Sequence, residues 1–203
     1  YRTPVGSWTA PTGTPGFGAN SFSITGTTTI TTTSTYWTAS KLGTYYSYQT
    51  GDWDTPNTWT SDPSGTLQIG TTIPGINDKV VILTGRTVSL SADVTTQGLD
   101  ITLDAGGFLN LTDQLFSNTL AALRGQGTLQ LASANFPAAA INTLVNAGGG
   151  TTEYNNTSDF DMPATQLTYN NLTINAPGIT ATQLNNILLN CNLIVRQGNY
   201  RIN

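Results

Sequence analysis

Residues 45–90 read YYSYQTGDWDTPNTWTSDPSGTLQIGTTIPGINDKVVILTGRTVSL, and the change of character along this stretch decides the fold. Its first half sets aromatics among turn formers: Trp53 and Trp59 stand beside Gly51, Asp52, Pro56 and Asn57. Pro74, Gly75, Asn77 and Asp78 mark another turn, and Val80, Val81, Ile82 and Leu83 follow it. Four apolar residues in a row between turn signals predict a strand covered on both faces. We read the two tryptophans as a lid over the first coil of a stack, and everything downstream as that stack.

Downstream, short apolar strands recur at 80–83, 88–90, 99–103, 108–111, 128–131, 151–154, 172–174 and 193–195. Leu109 to Leu129, Leu129 to Thr151, Thr151 to Leu172 and Leu172 to Leu193 are steps of 20, 22, 21 and 21 residues. A near-constant step carried by different residues is what stacked coils produce. One coil cannot bury its own apolar side, so neighbours must cover it. Gly and Asn punctuate the strands, as at Gly106-Gly107, Gly148-Gly149-Gly150, Asn170-Asn171 and Asn185-Asn186. Both residue types tolerate positive φ at bends. Asn171 and Asn192, each just before a Leu, are 21 apart and are expected to stack as a ladder. Residues 118–124 and 136–145 break the rhythm, and the second of these (FPAAAINTLV) is read as a helical turn against the coil.

Upstream, residues 1–44 read as a separate N-terminal β segment, the end of a preceding module. A Pro/Gly-rich loop (Pro11, Gly13, Pro15, Gly16, Gly18) precedes strands expected at 21–23 and 27–35. The second strand, rich in Thr, has high β-propensity and little apolar payload. A flat array of hydroxyls and methyls is one that can order ice, but an edge strand in water is the plainer reading. The chain begins without Met and ends within an expected strand, as a fragment of a longer polypeptide would.

Composition narrows the class. Only 9% of the 203 residues are charged, against about 25% in an average globular domain. The net charge of −4 and the 8 Tyr, 6 Phe and 4 Trp are unlike a disordered chain. So few Lys and Arg argue against nucleic acid and anionic membranes as partners, and no apolar run is long enough for a helical membrane span. Cys191 is the single cysteine, which excludes an intrachain disulfide; among Leu188, Leu189, Leu193 and Ile194 it reads as a small buried hydrophobe.

Three blocks then carry a resemblance: Gly51-Asp52-Trp53-Asp54-Thr55-Pro56-Asn57-Thr58-Trp59; Pro74-Gly75-Ile76-Asn77-Asp78-Lys79-Val80-Val81-Ile82; and Gly85-Arg86-Thr87-Val88-Ser89-Leu90. With Tyr169-Asn170-Asn171-Leu172-Thr173-Ile174 and the opening Tyr1-Arg2-Thr3-Pro4-Val5, the chain resembles the repeated modules of very large cell-surface proteins of Bacteroidota. The resemblance covers most of residues 45–175. It implies a parallel β-helix, export by the type IX secretion machinery to the extracellular cell surface, and a role in adhesion or gliding motility beside adjacent modules of the same chain. It carries over no catalytic residue.

The chemistry on offer is thin. There is no His, so the commonest general base and metal ligand is missing. Paired carboxylates remain, as polysaccharide-cleaving β-helices use: Asp52 with Asp54, Asp100 with Asp104, Asp159 with Asp161. Turn and loop positions are the plainer reading of each pair. Calcium is the metal that oxygen-rich loops at Asp52, Asp54, Asp159 and Asp161 would take. Trp53, Trp59 and Tyr48 are candidates to stack on sugar rings of a surface polysaccharide, against the reading of the tryptophans as a hydrophobic cap.

The expectation is therefore all-β: a right-handed parallel β-helix over residues 45–203, open at its C-terminal end, with an aromatic cap and an N-terminal β segment. The expected function is non-enzymatic and adhesive. A carbohydrate-binding module, and after it a β-helix polysaccharide lyase or hydrolase, are the alternatives.

Overall fold

In the computed structural model the described residues are 15–18, 21–24 and 42–203. The chain divides into two units, Tyr1–Lys41 and Leu42–Asn203. In the first, Pro15–Gly18 pairs antiparallel with Ser21–Ile24. The strand expected at 21–23 is thus present, while 15–18, expected as loop, is its partner. The strand expected at 27–35, and the ice-ordering reading attached to it, lie outside the described residues.

The second unit is a parallel β-solenoid of about six coils. Each coil lays one strand in each of two sheets. In the first sheet Thr44–Ser47, Lys79–Ile82, Asp100–Leu103, Leu120–Gly125 and Ala139–Asn142 follow one another in parallel. In the second, Gly51–Asp52, Thr87–Ser89, Phe108–Asn110, Thr128–Leu131, Thr151–Tyr154 and Asn171–Gln183 do the same, and Leu193–Ile202 pairs on the last of these. A third side is irregular, with the bridge Val94 to Phe116.

Alternation along each short strand explains the stack. Side chains of successive residues point to opposite faces, so one residue in two enters the interior. Inward columns run through the coils in register: Val80, Ile101 and Leu123 on one side, Val88, Leu109, Leu129, Thr152 and Leu172 on the other. All of them are buried. Leu193, in register on Leu172 with no strand among the described residues on its other side, is 40% exposed.

Five details differ from expectation. The strand Lys79–Ile82 is not covered on both faces: Val80 and Ile82 are buried, while Val81 is half-buried and faces outward. A solenoid strand has only one interior side, and of the outward apolar residues Leu83 is approached by the loop that follows Trp59, at Gly65. The Thr151 count is off by one, because Leu129 is in register with Thr152, and Thr152 with Leu172. Residues 136–145 hold no helical turn; Ala139–Asn142 extends the first sheet, with Ala139 on Leu120, Ile141 on Ala122 and Asn142 on Leu123. Residues 118–124, the other break in rhythm, likewise hold the strand Leu120–Gly125. Cys191 is exposed rather than buried, its Sγ accepting from Asn192 Nδ2 at 3.2 Å, because it sits on the last described coil.

The Asn ladder is present. Asn192 Nδ2 donates to Asn171 Oδ1 at 3.2 Å, and Asn171 Nδ2 to the Gly150 carbonyl at 3.3 Å. At the same corner Gly107, Gly127 and Gly150 stack, their carbonyls accepting from Thr128, Thr151 and Asn171 of the next coil. A Cβ on Gly127 would lie 2.5 Å from the carbonyl oxygens of Asp104 and Gly107, so the corner closes only around glycine.

Candidate functional site

The first coil is where the candidate residues gather. The loop after Trp59 turns back on itself because Asp62 accepts from Ser64 Oγ at 2.6 Å and from the amides of Ser64, Thr66 and Leu67 at 2.9–3.1 Å. Those hydrogen bonds, the Ser64 hydroxyl first among them, hold its carboxyl well below the usual carboxylate range. The loop seats Gly65 on the coil: φ is +62°, and a Cβ there would run into Leu83 and approach the Ser47 carbonyl at 3.1 Å. Ser47 Oγ in turn accepts from the Leu83 amide at 2.8 Å.

Between this loop and the bend before Thr87 lies an open groove of about 370 Å³, lined by Tyr48, Gln49, Gly65, Thr66 and Arg86. That volume is at the small end of ligand-binding clefts. Tyr48 and Arg86 are half-buried; Gln49 and Thr66 are exposed. All 11 acidic residues of the chain lie at or beyond Asp52, within the described part. Among the described residues two ion pairs form, Arg124 with Asp100 at 3.1 Å and Arg196 with Glu153 at 3.5 Å, and neither includes Arg86.

The two tryptophans do not line this groove. Trp53 is 1% exposed and Trp59 0%. Their rings meet edge to face at 5.0 Å, Trp59 Nε1 donates to the Trp53 carbonyl at 2.7 Å, and Trp53 packs on Phe116 at 5.4 Å. Neither presents a face on which a sugar could stack, so the stacking role expected of them is corrected to the cap. Trp59–Thr60 also pairs antiparallel on Thr44–Ser47, closing that edge of the sheet. Tyr48 alone of the three aromatic candidates is within reach of a ligand.

The carboxylate pairs are spread out. Asp52 and Asp54 are both exposed, one in the short strand Gly51–Asp52 and one in the turn after it. Asp100 is bound to Arg124. Asp159 lies just before the strand Phe160–Asp161 and accepts from the Thr180 amide at 2.7 Å; it and Asp161 are both exposed. No group of three or more Asp, Glu, Cys or His side chains converges among the described residues. The calcium loops expected at Asp52, Asp54, Asp159 and Asp161 thus bring at most two carboxylates each, and any further oxygen ligands would have to come from carbonyls or water.

Two buried polar sites belong to the stack itself. Glu153 is 4% exposed and takes hydrogen bonds from Gln130 Nε2 at 3.0 Å and Asn175 Nδ2 at 3.2 Å, besides its pairing with Arg196. Tyr154 and Tyr169 face each other inside the later coils, their hydroxyl oxygens 3.1 Å apart. Burial pushes the Tyr154 phenol well up and that of Tyr169 to about 12.

Sequence reasoning missed Arg86 and the 62–67 loop as parts of a site. Arg86 stood inside a block read as structural, among basic residues that are scattered along the chain. Asp62, Pro63, Ser64 and Gly65 are a visible turn signal, but nothing in their spacing says which strand the turn lands on.

The fold and its first-coil groove define a parallel β-solenoid with a polar, partly aromatic cleft. Compared with known protein families, curated proteins and solved structures, the chain matches none.

Proposed function

We propose that this chain is a non-enzymatic, adhesive segment of a large secreted protein at the cell surface, serving attachment or gliding. The observation that carries this reading is the outer side of the second sheet. Ser89, Asn110 and Gln130 form one half-buried outward row in register, which runs on into the buried Glu153 and Thr173, and the half-buried Thr87, Phe108, Thr128, Thr151 and Asn171 form another. Rows of hydroxyls and amides at the spacing of a sheet make a long, nearly uncharged surface suited to many weak polar contacts. A stack in which each coil leans on the next is also a natural spacer for modules in a long chain. Export by the type IX machinery and an origin in Bacteroidota surface proteins rest on the sequence resemblance alone.

Cells with and without the parent protein, compared for attachment to glass and to polysaccharide-coated surfaces, test this directly. Attachment falls when the protein is missing; unchanged attachment would contradict the adhesive role. Purified protein incubated with acidic and neutral polysaccharides releases no new chain ends. Release that disappears in Asp159→Asn would favour the hydrolase or lyase reading instead.

A further inference from the structure

The geometry points to the groove between Tyr48, Gln49, Gly65, Thr66 and Arg86 as a binding site for an anionic sugar unit of a polysaccharide. This rests on the adhesive reading and gives it a ligand class. Four observations carry it. Arg86 is half-buried at the groove and has no carboxylate within ion-pair distance, although the chain holds 11 acidic residues against 7 basic ones and pairs two other arginines. An unpaired guanidinium in a cleft is a ready partner for a carboxylate or sulfate, which it grips through two parallel N–H donors. Tyr48, half-buried beside it, offers ring surface to the apolar face of a pyranose. Gln49 and Thr66, both exposed, add amide and hydroxyl groups for the sugar's own hydroxyls.

The cleft is also held in shape before any ligand arrives. Asp62 spends its carboxylate on Ser64, Thr66 and Leu67 of the same loop, which fixes the Thr66 wall. Gly65 lets that wall close onto Leu83 and Ser47 of the coil. On the opposite wall the Thr87 amide donates to Thr50 Oγ1 at 3.0 Å and the Arg86 amide to the Leu83 carbonyl at 3.1 Å, so the bend carrying Arg86 is tied down too. A preformed site loses less on binding than one that must be ordered. The groove is open to solvent, so a sugar unit could enter it without being released from a longer chain.

The test uses the 203-residue chain in affinity electrophoresis through gels containing polygalacturonate, dextran sulfate or neutral dextran. Mobility is retarded by one or both anionic polymers and not by dextran; which of the two retards it tells carboxylate from sulfate. Arg86→Gln weakens binding at least about tenfold, Arg86→Lys much less, and Tyr48→Ala about threefold or more. Arg201→Gln, which removes the same charge from an exposed position elsewhere, changes binding less than about twofold if the contact is local rather than a net-charge effect. Should Arg86→Gln lower the melting temperature, Thr66→Glu carries the test, because a carboxylate placed at that exposed wall expels an anionic sugar. No retardation of the parent protein, equal retardation by dextran, or equal losses in Arg86→Gln and Arg201→Gln would each overturn the inference. If cells still need the protein to attach while Arg86→Gln attaches normally, the groove falls and the adhesive reading stands.

Discussion

At the scale of single residues, two carboxylates do most to fix the first coil. Asp78 is 7% exposed and accepts from the Gly43 amide at 2.6 Å and the Gly75 amide at 2.7 Å, so it ties the turn at 74–78 to the chain entering the coil. Removing it leaves two amides without their charged acceptor. Asp78→Ala should therefore cost about 2–4 kcal/mol and Asp78→Asn less, measured by urea unfolding. A loss within experimental error for Asp78→Ala would show that water replaces the carboxylate without penalty. Asp62 makes a pH-dependent prediction. Its folded pKa is lowered by the Ser64, Leu67 and Thr66 hydrogen bonds, so the unfolded chain takes up a proton first as pH falls. Its contribution is complete above the ordinary carboxylate pKa near 4 and fades only below it. Protection factors of the Thr66 and Leu67 amides should hold from pH 7 to pH 4 and disappear at both pH values in Asp62→Ala. Their loss near pH 4 in the unmodified protein would mean an ordinary carboxyl.

At the scale of strands and bends, the fold is a matter of register. The apolar strands of the second sheet were legible in the sequence because Leu109, Leu129, Leu172 and Leu193 are large, inward and evenly spaced. Thr151 misled by one position because in that coil the inward residue is Thr152, and alternation between two threonines gives no signal. The first sheet was half legible. Val80 and Ile101 stand out, but Ala121, Ala122, Ala139 and Ala140 resemble helix formers, and only the neighbouring coil makes them strand. The groove was least legible, since Tyr48, Thr66 and Arg86 meet only through a loop held by side-chain hydrogen bonds. The glycine corner gives the prediction at this scale. Gly127→Ala places a methyl against two carbonyls, and the coil must open to admit it. It should cost about 1–3 kcal/mol by urea unfolding, with little effect expected only if the corner is looser than the stack shows.

At the scale of the molecule, stability is shared between neighbouring coils. Leu129 is buried between Leu109 and Thr152, whereas Leu193 has a neighbour on one side and is 40% exposed. Leu129→Ala should cost about 2–5 kcal/mol and Leu193→Ala distinctly less. Equal losses in urea unfolding would mean that the two positions do not differ in cover. The same stacking fixes how far apart the coils lie. Asp52, Ser89, Asn110, Gln130, Glu153, Thr173 and Ile194 form one row, each in register with the next. With Cys191 replaced, spin labels at Asp52 paired in turn with Asn110, Gln130 and Ile194 measure that row by pulsed electron resonance. Parallel coils predict separations that grow linearly by about 4.8 Å per coil, reaching about 29 Å between Asp52 and Ile194. Separations that rise and then fall along the series, as in two antiparallel sheets packed face to face, would contradict the solenoid.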